Sequence, residues 1–421
     1  MARIAIVGAG PSGCYLAQAL LKALPDAEIN ILDRLPCPYG LVRYGVAPDH
    51  QGTKGVIRQF ERLFERQGVA FFGGVTLGRD ITLEALQAAH NAVVLATGLS
   101  DDRRLGIPGE DLPGVIGAGR LTRAWNDHPD AEGDEPPLGR RVVIMGNGNV
   151  AIDLLRLLAK DDAEFDGSDL SSARSRAIVA AGVESIEVIG RGSAEQARFD
   201  PVMLRELGKL GAARISVIEA HGEGKVVEAL QAIDGHAPAG ARRSVTFRFG
   251  WTPRALLGDT RLEVAQFVAS DGSGAELRLE CDSFLTAIGF EGGEDLGRPA
   301  LLTGASEDGA LAPGLYAAGW FRRGPRGTIP ENRQDAQLVA SRIAADLSGL
   351  GSVRPGREAL ARQLPQAVSY AGWQRIDEAE RAASPPTRCR QKIPSMSRML
   401  EIARNEAGAR PTDTASQKGE R

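Results

Sequence analysis

Arg3-Ile4-Ala5-Ile6-Val7-Gly8-Ala9-Gly10-Pro11-Ser12-Gly13 is the stretch whose reading decides the fold. Arg3 to Val7 is an apolar, β-branched run and reads as a strand, Gly8-x-Gly10-x-x-Gly13 is a turn, and Cys14 to Leu24 carries a helical apolar pattern. In such a turn Gly8 permits the tight bend, Gly10 lets the backbone approach a pyrophosphate, and Gly13 lets the helix pack on the strand. The pyrophosphate then sits at the helix N-terminus. Pro25-Asp26 break the helix before a second strand, Glu28 to Asp33. Asp33 lies 20 residues beyond Gly13 (33 − 13), where a carboxylate accepts a hydrogen bond from a ribose 2′-hydroxyl.

The same pattern recurs once. Val142-Val143-Ile144-Met145 runs into Gly146-Asn147-Gly148-Asn149-Val150-Ala151, with Ala151 in place of the third glycine. That variant leans toward NADP over NAD. The next strand, Ile186 to Ile189, leads through Gly190 to Arg191, where a guanidinium can pair with a 2′-phosphate as a planar fork. Two nucleotide sites in one chain imply two cofactors face to face, FAD and a nicotinamide nucleotide. The cofactors then carry the chemistry, and the protein aligns them.

The rest of the chain fits a multidomain α/β enzyme. A Pro-, Gly- and Tyr-rich ordered loop is expected over 34–53, a strand at Ala92 to Leu95, and a polar crossing over 100–114. Short β-like runs alternate with turns over 212–288, a strand covers Leu315 to Ala318, and a helix lies near Gln334 to Leu347. Gly408 to Arg421 reads as a disordered tail. At 421 residues the chain exceeds a single core. Its 43% hydrophobic and 25% charged residues are ordinary for a globular enzyme, and 51 glycines point to many tight turns. A net charge of −4 provides no basic field for nucleic acid. No apolar run approaches the roughly 20 residues that span a bilayer. The N-terminus lacks the pattern of a signal peptide, so a cytoplasmic location is expected. Cys14, Cys37, Cys281 and Cys389 form no CxxC or CxxxxC pair, which argues against an iron–sulfur, zinc or redox-dithiol site. His50, His90, His128, His221 and His236 are scattered, so no metal site is expected.

Several segments resemble the adrenodoxin reductase family of ferredoxin–NADP reductases. They are Gly40-Leu41-Val42-Arg43-Tyr44-Gly45-Val46-Ala47-Pro48-Asp49-His50, the run Gly146 to Asp153, Ile107-Pro108-Gly109-Glu110, and Gly319-Trp320-x-x-Arg323-Gly324-Pro325-x-Gly327-x-Ile329. Together they span most of residues 3–345 in the family's order, and Trp373 and Cys389 to Leu400 resemble its C-terminal region more loosely. The resemblance implies two Rossmann-like, glutathione-reductase-type domains. The NAD(P) domain (105–310) would be inserted into an FAD domain made of 1–104 and 311–421. It implies an FAD-dependent reductase passing electrons from NADPH to a ferredoxin-type iron–sulfur protein. Carried over residue by residue, it places Ser12, Asp33, Leu41 and Val75 at the adenosine and pyrophosphate of FAD. Trp320 and Gly327-Thr328-Ile329 fall beside the flavin ring, with Gly327 also near the nicotinamide, and Asn147 to Val150 at the NADP pyrophosphate. His50 and Glu206 would orient the rings or relay a proton.

This sequence also departs from that pattern. Where the family places two adjacent arginines, Arg191 is followed by Gly192 and Ser193, and Met203 stands where a glutamate is expected. Arg198 is a candidate to compensate, and NADH or dual use is the alternative to NADPH. A basic docking face for an acidic ferredoxin would draw on Arg205, Arg242, Arg243, Arg322, Arg323 and Arg326. Competing readings are a quinone or dye reductase, an electron-input subunit of a larger assembly, and a structural or sensory flavoprotein. The chain opens directly on the FAD strand, which disfavours the electron-input reading, and the missing cysteine pair disfavours disulfide reductases. A monomer is favoured.

Overall fold

The computed structural model describes residues 1–405 except 293–295, 328 and 349–352. The expected tail, Gly408 to Arg421, lies outside the described residues. Two six-stranded sheets organise the chain. In the first, Ala310–Ala312, Leu315–Ala317, Ala92–Leu95, Arg3–Val7, Glu28–Asp33 and Ala70–Gly73 lie side by side, all parallel except the edge strand Ala310–Ala312. Register explains why these strands are apolar throughout. Ile4, Ile6, Ala92 and Val94 point into one core, while Ala5, Val7, Val93 and Leu95 point into another across the sheet. A parallel strand buried on both faces cannot alternate with polar residues.

After Ala92–Leu95 the chain leaves this sheet through the two-residue strand Asp101–Asp102, which pairs antiparallel with Phe290–Glu291. Between them it builds the second sheet, in the order Val115–Gly117, Ser283–Thr286, Arg141–Met145, Ser185–Gly190, Arg243–Phe249 and Ala213–Ile218. Val142 and Ile144 face a helical layer, whereas Val143 and Met145 face a separate three-stranded antiparallel sheet formed by Trp251–Leu257, Val264–Ala269 and Glu276–Glu280. The chain then returns to the first sheet at Ala310. The long helix Ile329–Leu347 lies against the fingerprint helix Pro11–Ala23.

Two expectations are corrected. The 34–53 loop contains the short helices Leu41–Tyr44 and Gln51–Lys54. The region 212–288 also contains a helix, Lys225–Ile233, that buries Val227, Leu230 and Ile233 at three-residue spacing.

Buried charges fasten the two lobes together. The Asp169 carboxylate of the second lobe accepts from Lys54 Nζ of the first lobe at 2.7 Å and from Lys392 Nζ of the C-terminal segment at 2.9 Å. Both ammonium groups also reach Asn126 Oδ1, at 3.0 and 3.1 Å. Nearby, Arg43 pairs with Glu380, and Arg388 donates to Leu170 O and Asp166. Removing one partner of such a buried pair typically costs about 3–5 kcal/mol, because the other charge is left uncompensated.

Burial pulls Lys54 down to about 7, and the ammonium of Lys392 pulls the same way against the attraction of Asp169. Burial alone would raise Asp169, but Lys392 and Lys54 hold it at about 2. A lysine whose folded pKa is depressed sheds its proton more readily folded than unfolded. Its contribution therefore becomes more favourable as pH rises from about 7 toward the unfolded value of 10.5. Chemical denaturation at about pH 6.5 and about pH 9 should show wild type gaining stability relative to Lys54→Met as pH rises. A difference that shrinks or stays flat would mean that Lys54 is not the group losing the proton.

Candidate functional site

Both glycine turns open into one cleft of about 2480 Å³. That is more than twice the roughly 300–1,000 Å³ that holds one drug-sized molecule. The turns are built alike. Gly8 has φ +112°, and a Cβ on it would lie 2.4 Å from Ala96 O at the end of the neighbouring strand. Gly146 has φ +140°, and its Cβ would lie 2.2 Å from Ala287 O. Only glycine tolerates both the positive φ and the close approach. Gly13 serves packing, since its Cβ would lie 2.0 Å from Gly8 O, and Ala151 in the second turn is fully buried.

Gly8, Gly10, Ser12, Asp33, Leu41 and Gly40 line the first half of the cleft. A Cβ on Gly40 would lie 2.9 Å from Gly10 Cα, so bare backbone from two segments meets there. The Asp33 carboxylate accepts from Ala9 N at 2.8 Å and Leu35 N at 2.9 Å, tying the turn to the next strand at the edge of the cleft. Burial pushes its pKa up, against those two amide bonds. Ser12 Oγ donates to Asn332 Oδ1 at 3.1 Å. Val75 does not line the cleft. Its side chain lies in the core, and its backbone N–H donates to Asp33 O at 2.9 Å.

Trp320 and Gly327 line the middle of the cleft. Trp320 stacks on Phe290 at 5.7 Å between ring centroids, and its buried Nε1 has no hydrogen-bond partner among the described residues. Thr328 and the side chain of Ile329 lie outside the described residues.

Gly146, Asn147, Gly148, Asn149, Val150 and Arg191 line the second half. Asn149 Oδ1 accepts from Asp200 N at 2.7 Å, which anchors the segment before the helix Pro201–Leu207.

The structure brings His50 and Glu206 together: His50 Nε2 lies 3.4 Å from Glu206 Oε2. His50 lines the cleft and Glu206 stands behind it. The sequence reading missed the third member, Asp153, whose Oδ1 is 3.4 Å from His50 Nδ1. A signal existed: in the helix Asn149–Ala159, Val150, Asp153, Leu154 and Leu157 form the cleft-facing stripe at helical spacing. Burial raises Asp153, opposed by Arg156 and His50. Asp49 next to His50 is held by Arg156 and Lys160, each at 2.7 Å, which fixes the loop. Their attraction overcomes burial and holds Asp49 well below the usual carboxylate range.

The expected docking arginines fare unevenly. Arg243 is only 7% exposed and pairs with Asp161 at 3.0 Å, because it starts an inward-facing strand register. Arg242 pairs with the same carboxylate. Arg322 and Arg323 both pair with Asp335. Arg205 and Arg326 are exposed and have no carboxylate partner among the described residues.

None of the four cysteines lines the cleft. No described helix is long and apolar enough to cross a membrane.

Residues 2–319 match the family described as pyridine nucleotide-disulphide oxidoreductase. The cindoxin reductase of Citrobacter braakii is 44% identical over 433 residues, covering 99% of this chain and 94% of that protein. The NADPH-ferredoxin reductase FprA of Mycobacterium leprae is 34% identical over 445 residues, covering 95% and 98%. The solved structure of Mycobacterium tuberculosis FprA in complex with NADPH superposes with a TM-score of 0.87 at 31% identity, covering 96% of this chain and 99% of that one. The chain therefore belongs to the pyridine nucleotide-disulphide oxidoreductase family, among its adrenodoxin reductase-type, FAD-dependent ferredoxin reductases.

Proposed function

We propose that this chain is an oxidoreductase that moves electrons from NADPH, by way of bound FAD, to a ferredoxin-type iron–sulfur protein. The observation that carries the reading is the pair of matched glycine turns facing one cleft. The groups present suit the flavin nucleotide: a backbone cradle at Gly8, Gly10 and Gly40, a carboxylate at Asp33, and an indole N–H at Trp320 with no partner among the described residues. When bound, FAD supplies the conversion between two-electron and one-electron transfer that a nicotinamide cannot readily make.

The residues of this chain hold and align. Ser12, Asp33, Leu41 and the Val75 backbone serve the adenosine end, while Trp320 and Gly327 to Ile329 serve the ring. Asn147 to Val150 hold the pyrophosphate of NADPH, and Arg191 takes its 2′-phosphate. His50, held between Asp153 and Glu206, orients the rings or moves a proton at its Nε2. We take 1–104 with 311–421 as the FAD domain, 105–310 as the NADP domain, and the working form as a cytoplasmic monomer. A second reading names the carrier as a cindoxin, on the strength of the 44% identical relative.

Three outcomes follow. Anaerobic titration of the purified protein should bleach its flavin band with about one equivalent of NADPH and far less readily with NADH; a protein that cannot retain flavin after reconstitution excludes the reading. Arg191→Ala should raise KM for NADPH by about 10- to 100-fold, the loss expected for one charged hydrogen bond, and barely change it for NADH. Equal rises for both would remove Arg191 from the phosphate. Carrier-mediated cytochrome c reduction, run with a ferredoxin and separately with a cindoxin, should fall steeply with salt, whereas ferricyanide reduction should not. Parallel salt slopes would rule out a basic docking face.

A further inference from the structure

Arg191 follows the strand Ser185–Gly190, whose last residue sits against Asn147: a Cβ on Gly190 would lie 3.4 Å from Asn147 Cβ. Beyond Arg191 the chain turns back at once. Ser193 and Gln196 form a capping box around the short turn Ala194–Gln196. A Cβ on Gly192 would lie 2.6 Å from Gln196 Oε1, so a side chain at 192 would have to displace that cap. A second, adjacent arginine would meet the end of that glutamine side chain, which would have to swing aside. The returning chain instead places Arg198 at the nucleotide turn, where its N–H donates to Asn147 O at 2.8 Å and it forms a β-bridge with Gly148.

Arg191 and Arg198 thus approach Asn147 from the two ends of one small loop. Both are exposed, both line the cleft, and neither has a carboxylate partner among the described residues. Other cleft arginines are committed: Arg34 to Asp130, and Arg104 to Glu110 and Asp111. Arg103 and Arg326 also lack carboxylate partners, but they lie elsewhere, at the lobe crossing and beside Gly327. The nearest acid along the chain, Asp200, turns its carboxylate onto Val202 N at 2.8 Å.

We propose that Arg198 is a specificity-determining residue that supplies the second guanidinium for the 2′-phosphate of NADPH, doing from the far side of the loop what an adjacent arginine at 192 would do. This rests on the reading of the second turn as the NADPH site. A phosphate monoester presents several oxygens, and two planar guanidinium forks grip it from two sides more strongly than one.

The test uses the oxidised, FAD-loaded protein and calorimetric binding of 2′,5′-ADP, which carries the 2′-phosphate, against 5′-ADP, which does not. Arg198→Ala keeps the backbone bond to Asn147. It should weaken 2′,5′-ADP by about 10- to 100-fold and leave 5′-ADP within about twofold. Arg198→Lys should fall between, because an ammonium carries the charge without the fork. Unchanged flavin content and melting temperature would confirm that the fold is kept. Equal weakening of both ligands, or of neither, overturns the role of Arg198. If Arg191→Ala alone abolishes the preference, this proposal fails and the NADPH reading stands. If wild type shows no preference for 2′,5′-ADP, both fail.

Discussion

One carboxylate between two ammonium groups sets the working geometry of this molecule. Lys54 belongs to the first lobe, Asp169 to the second and Lys392 to the C-terminal segment, and all three are buried. A charge triad of this kind is a poor way to gain stability, since burying the ions costs about as much as their attraction returns. Its effect is on alternatives: any rotation that separates the lobes strands buried charges. The Arg156–Asp49 and Arg388–Asp166 pairs, which also cross between the lobes, act in the same sense around it. Two nucleotide turns on independently moving lobes would rarely align their ligands. Fixed across this junction, they face each other through one cleft.

That rigidity explains why a histidine can be shared. His50 stands on the first lobe, and its two partners, Asp153 and Glu206, stand on the second. Contacts of 3.4 Å on both ring nitrogens depend on the two lobes keeping their relative position. The neighbouring Asp49, clamped by Arg156 and Lys160, carries the junction's order directly into the residue beside His50. The lobe interface and the polar group of the site are therefore one network.

How legible this was in the sequence follows from which forces are local. The parallel strands could be read because burial on both faces forces continuous apolar runs, as in Ile4 to Val7 and Val142 to Met145. The glycine turns could be read because sterics at Gly8 and Gly146 admit no other residue. Charges read poorly. Arg242 and Arg243 look alike in sequence, yet one side chain is exposed and the next is buried on Asp161, because strand side chains alternate in direction. Lys54, Asp169 and Lys392 are far apart along the chain, and nothing in their neighbours announces that they meet. The short helices Leu41–Tyr44 and Gln51–Lys54 are likewise held by tertiary contacts rather than by propensity.

The cleft also separates what must be constant from what can vary. Gly8, Gly10, Gly146 and Gly148 present backbone to the cleft, and a side chain added at the first glycine of each turn meets a carbonyl. Of the arginines around the cleft, Arg34, Arg104 and Arg123 pair with carboxylates, whereas Arg103, Arg191, Arg198 and Arg326 have no carboxylate partner among the described residues. On the proposal above, the distinction between NADPH and NADH falls to the exposed side chains of Arg191 and Arg198, on a loop that gives Ala194 and Ala197 to the core. A glycine at 192 with a glutamine cap over it can thus stand where relatives are expected to carry an arginine, without disturbing the turn at Asn147. On that proposal, cofactor preference is set in the loop while the glycine turn beneath it stays unchanged.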